Sequence, residues 1–118
     1  MALRERVKEL TCLYGIAQIT TKQNASLEEI LQNIVVLLSP AWLYPEVAMA
    51  RIIFDGHSYA ASDFTDGKQS ISSDIIISGN TRGSVDVSYT VEKPSLDEGP
   101  FLKEERNLID TVARELSV

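Results

Sequence analysis

The hydrophobic residues of this chain change period twice, and that change constrains the fold more than any other feature. Spacing is helical up to Leu38, alternating between Val47 and Val91, and helical again from Phe101 to Leu116. A repeat near 3.6 marks a helix with one buried face, and a repeat of two marks a half-buried strand. The predicted order is helix, helix, at least four mostly antiparallel strands, helix. Such an order gives an α+β fold: an antiparallel sheet with N- and C-terminal helices packed on one face. A length of 118 residues without repeats or linker-like stretches fits a single domain over 1–118.

The first helix, Leu3 to Thr20, carries Leu3, Val7, Leu10, Tyr14 and Ala17 at spacings of four, three, four and three. That is the seam of a coiled coil or helix pair. Leu13, Ile16 and Ile19 widen the stripe, so part of the helix also faces a core. Gly15 lowers helix stability by about 1 kcal/mol relative to Ala and marks a close crossing. Ser26 with Glu29 three residues later is a capping-box start for the second helix, and Pro40 ends it. Strands are predicted at 47–54, 57–64, 72–78 and 83–91. Asp55-Gly56 and Gly79-Asn80 are read as turns, and Thr65 to Lys68 as a polar loop. Both rows of the first strand are apolar except for Arg51, which predicts a central strand covered on both sides.

Several functions are excluded by what the chain lacks. Eleven basic against seventeen acidic residues give a net charge of -6, the wrong balance for nucleic-acid binding. The lone Cys12 rules out an internal disulfide and a zinc site with several Cys ligands, and its apolar helical setting is that of a small buried hydrophobe. No apolar run approaches the roughly 18 to 20 residues that span a bilayer, and the amino terminus has no signal-peptide pattern. The expectation is a cytoplasmic chain with no membrane segment. His57, the sole histidine, follows a turn and begins a strand, unlike a phosphoacceptor on a helix. Glu28-Glu29 and Glu104-Glu105 stand near helix starts, where they suit the helix dipole. No catalytic residue, cofactor or metal site is expected. Arg51 must find a partner, with Asp74 or Asp86 as cross-strand candidates. The functional alternative sets Arg51 in a small pocket for an anionic ligand, lined by Trp42, Tyr44 and Tyr59.

Three stretches together resemble the GAF family of regulatory domains: Ser26 to Ile34 its opening helix, Ala50 to Gly56 its first strand and hairpin, and Phe101 to Ala113 its closing helix. The segments Ser39 to Arg51 and Gly99 to Arg106 are also similar to sensor segments preceding bacterial histidine kinases and related phosphotransfer proteins. The resemblance implies a non-catalytic sensory module in signal transduction, joined covalently to an output domain such as a histidine kinase. A small-molecule ligand is the family's other use, although the stretch Thr65 to Asp74 is shorter than the insertion that closes the pocket in ligand-binding members. The seam through Leu3, Val7, Leu10 and Tyr14, with Val112 and Leu116 of the last helix, predicts a homodimer formed by the terminal helices.

Overall fold

Each element begins or ends where its residues dictate. The computed structural model describes residues 2–20, 25–60, 67 and 69–117. Helix α1 (Ala2–Thr20) comes first, followed by α2 (Leu27–Leu38). The Ser26 hydroxyl accepts from the Glu29 backbone N–H at 3.2 Å, meeting one of the orphan donors of the first turn of α2. Pro40 lies inside a 3₁₀ turn, Ser39–Ala41, which closes α2, and a second turn, Pro45–Val47, leads into the sheet. Strands β1 (Ala48–Phe54), β2 (His57–Ala60), β3 (Gln69–Ile77) and β4 (Asn80–Tyr89) follow, and α3 (Lys103–Glu115) closes the fold. The sheet order is β2-β1-β4-β3 with every pairing antiparallel, so the expected α+β architecture is observed.

Asp55 and Gly56 both have positive φ, 51° and 82°, the geometry of a hairpin turn that follows strand twist. The second hairpin turns at Ser78-Gly79, with φ 53° and 80°, one residue earlier than the sequence suggested. Asn80 therefore opens β4, and β3 begins at Gln69 rather than Ser72. The polar run Asn80 to Arg82 hid the first part of β4 from a period-two reading. The second strand was expected to reach Phe64; the observed β2 covers His57–Ala60, and 61–66 lie outside the described residues, as does most of the loop Thr65 to Lys68.

One face of the sheet presents Ala50 and Ile52 from β1, Val85, Val87 and Tyr89 from β4, and Ile71 and Ile75 from β3, all buried. Helix α2 covers β1 and β2 with Leu31, Ile34, Val35 and Leu38; α3 covers β3 and β4 with Leu108, Ile109, Val112 and Ala113. Helix α1 makes its main contacts with α2, α3 and the turn Ser39–Ala41. It forms an outer layer laid over the other two helices, so two helices, not three, make the layer directly on the strands.

On the other face, Met49, Arg51 and Ile53 are half-buried. The strand β1 is central by pairing, but only its Ala50–Ile52 row is fully covered. At one end of the core, Tyr89 stacks on Phe101 at 4.9 Å between centroids and takes the edge of Tyr44 at 5.6 Å. Trp42 is fully buried.

Candidate functional site

A helix that serves one core needs one apolar face, yet α1 has two. Its inner side buries Cys12 and Ile16, with Leu13 and Ile19 packed at the margin. Its outer side shows Val7 and Leu10, each 54% exposed, and Tyr14, 67% exposed. These three belong to the seam expected from the spacing; the side chain of Leu3, the fourth, lies outside the described residues. The two residues assigned to the seam from α3 are elsewhere. Val112 is fully buried and Leu116 packs against the core, because α3 lies directly on β3 and β4 and spends its single apolar face there. The exposed seam is thus a property of α1 alone.

Beside that seam runs a groove of about 220 Å³ between α1, through Val7, Lys8 and Thr11, and the Leu37, Pro40 and Ala41 side chains. Lys8 anchors its rim by donating from Nζ to the Trp42 carbonyl at 3.1 Å. Cys12 also lines it; the thiol lies 3.5 Å from the Leu37 carbonyl, and burial pushes its pKa up to about 12. A thiol held protonated at neutral pH is a poor nucleophile. Farther along, a β-carbon on Gly15 would stand 2.9 Å from Leu37 Cδ1, so the glycine does mark the close crossing of α1 and α2.

Arg51 is taken up by the structure itself. Its Nε and Nη2 donate to Asp86 Oδ2 at 3.1 and 3.0 Å, while the Ser72 hydroxyl donates to Oδ1 at 2.6 Å and that of Ser84 to Oδ2 at 3.3 Å. Asp86 stands directly opposite Arg51 in the β1–β4 register. Tyr59 stands opposite Ile52, on the helix-covered face, and Tyr44 rests against Tyr89. The four residues proposed to share a pocket are therefore not brought together: Arg51 lies across the sheet from Tyr59. Alternation of side chains along β1 separates them. His57 is exposed at the start of β2.

One polar cluster was not visible in the sequence. Glu9, Glu104 and Glu105 line a small recess with Ala41 and Leu108. Glu105 is 2% exposed; its Oε1 accepts from Leu102 N and its Oε2 from Leu43 N, each at 2.7 Å. This carboxylate caps α3 and clasps the chain after α2 to it. Among the described residues, Glu9 Oε1 and Glu104 Oε2 are buried without a hydrogen-bond partner, with Arg6 Nη1 3.8 Å from Glu9 Oε1. Among the described residues, no group of three His, Cys, Asp or Glu side chains is placed to hold a metal ion.

Comparison with protein-family models, with curated proteins and with solved structures finds no match for this chain. The architecture is that of an α+β domain, and the functional reading rests on the surface just described.

Proposed function

We propose that this chain is a non-catalytic regulatory module of the GAF type, working in the cytoplasm, which self-associates through α1 and passes a change in helix packing to a covalently attached output domain such as a histidine kinase. The observation that carries this reading is the second apolar face of α1, where Val7, Leu10 and Tyr14 stand in water at heptad spacing. Exposed apolar residues in a row mark a contact surface more than isolated ones do. The position of α1 supports a transmitting role: its main contacts are with α2, α3 and the turn Ser39–Ala41, so a change in its packing reaches both other helices. The rival reading, an anionic-ligand module built on Arg51, has less to stand on, because Asp86 already neutralises that guanidinium.

Analytical ultracentrifugation tests the proposal. The chain is expected to form dimers at micromolar concentration, and Leu10→Glu, which faces solvent, is expected to yield a folded monomer. A wild-type chain that stays monomeric into the high micromolar range would refute it.

A further inference from the structure

We infer that the partner of the α1 seam is a second copy of this chain bound antiparallel, with Tyr14 of each copy seated in the groove beside Val7 of the other. The inference rests on the self-association just proposed and adds its geometry.

Helix α1 has 19 residues, fewer than the three or four heptads that sustain a free-standing coiled coil. The surface beside the seam must therefore contribute, and the groove of about 220 Å³ is what lies there. An apolar cavity of roughly 150 Å³ accepts one benzene ring, so the groove has room for a phenol. Tyr14 is the most exposed large apolar side chain among the described residues of the seam and has no core to enter on its own copy.

A two-fold interface requires that if residue i meets residue j, then j meets i. Val7 and Tyr14 lie seven positions apart, about 10.5 Å along the helix. A two-fold axis between Leu10 and Thr11 places Tyr14 over the partner copy's Val7 in both directions at once. Leu10 then sits by the axis against its own counterpart.

Charge points the same way. Every charged residue of α1 precedes Leu10, and none occurs between Leu10 and Thr20. The charged half mixes Arg4, Arg6 and Lys8 with Glu5 and Glu9, and parallel pairing would set Tyr14 beside its own copy and leave the groove without a ring. Antiparallel pairing sets the charged half against the uncharged one, where the ammonium of Lys8 at the groove rim approaches the incoming ring of Tyr14, a favourable cation–π contact. The sheet edges are less suited to pairing. Gln32 Nε2 donates to the Ala60 carbonyl of β2 at 2.7 Å. On β3, Arg106 Nη1 donates to the Ser72 carbonyl at 2.9 Å, and Ser117 Oγ accepts from Ile76 N at 3.1 Å.

Site-directed cross-linking in a Cys12→Ala background decides the geometry, with circular dichroism confirming that each variant is folded. Val7→Cys and Tyr14→Cys proteins are oxidised separately and as an equimolar mixture. The expected result is a covalent dimer in the mixture alone, since one native Tyr14 contact then remains beside the new bond. Thr11→Trp, which fills the groove from its rim, is expected to weaken dimerisation roughly tenfold or more. Self-linking of Val7→Cys or Tyr14→Cys alone would mean a parallel pair and would overturn the geometry while the dimer stands. A dimer by sedimentation that links in no combination would likewise overturn it. A monomeric wild-type chain would remove both the geometry and the proposal beneath it.

Discussion

Replacing Glu105 with Gln probes the bond pattern that ties the chain after α2 to the start of α3. The side chain is 2% exposed, and its two oxygens each accept a backbone N–H at 2.7 Å, from Leu102 and Leu43. A carboxamide keeps one acceptor and turns an NH₂ group toward the other N–H. The substitution loses one charge-assisted hydrogen bond, about 1.5–3 kcal/mol, and leaves a buried donor unmet. Against this, it removes a buried negative charge close to Glu9 and Glu104, which returns about 1 kcal/mol in a setting of this kind. The loss wins by about 2 kcal/mol, a lowering of the melting temperature by about 8 °C for a domain of this size. Glu104→Gln is the control: it removes a charge from the same cluster without breaking a hydrogen bond to its buried oxygen, so stability should hold or rise by up to about 1 kcal/mol. Urea unfolding followed by the fluorescence of fully buried Trp42 reads both variants, with an unchanged denaturant slope as the sign that only the native contacts changed. Equal losses for the two glutamates, or a Glu105→Gln protein as stable as the parent, would refute the reasoning.

Arg51→Met leaves Asp86 buried with two hydroxyl donors and no cation, and should cost about 2 kcal/mol. A double-mutant cycle with Asp86→Asn should return a coupling of about 1 kcal/mol in urea unfolding. Gly83→Ala would drive a methyl group into the Ile53 carbonyl of the neighbouring strand, so a loss of at least about 3 kcal/mol, or no folded protein, is expected by circular dichroism. Stability should also fall in alkali. Burial raises Cys12 from its ordinary 9 to about 12, and burial, then the Glu105 charge, raises Tyr89 well above its ordinary 10. Each group stabilises the fold below its ordinary value; Cys12 loses that contribution as pH rises through 9 to 12 and Tyr89 from 10 upward, so Cys12→Ala and Tyr89→Phe should each flatten the alkaline limb of a stability–pH curve.

The helices α2 and α3 were legible because each has one apolar face; Ser26 and Pro40 mark the ends of the first, whereas the second, read from Phe101, starts at Lys103 because Phe101 bridges to Glu98. The choice between Asp74 and Asp86 as the partner of Arg51 needed the strand register, which puts Asp86 directly opposite and Asp74 on a strand one further away. The grouping of Arg51 with Tyr59 needed the β1–β2 register as well, which sets Tyr59 opposite Ile52 and so on the other face from Arg51. In α1 the seam spacing was readable, but periodicity alone could not say which apolar stripes the fold covers; Val112 proved to be core while Leu10 did not. Of the two hydrogen bonds of Glu105, the one from Leu102 is a local capping contact, while the one from Leu43 spans 62 residues, too far for any local pattern to announce.

The isoleucines of β3 give the last helix a further duty. Ile75, Ile76 and Ile77 form a branched, uncharged run on an edge strand, whose outward backbone groups can pair with another chain when uncovered. Ile76 is already 48% exposed, and what interrupts the rim is a bulge at Ile75/Ile76 together with Arg106 and Ser117 reaching across from the α3 end of the chain. Fraying of that helix would therefore do more than loosen the core: it would leave Ser72 and Ile76 of the edge strand with open backbone groups, so the α3 end of the chain also shields a pairing edge.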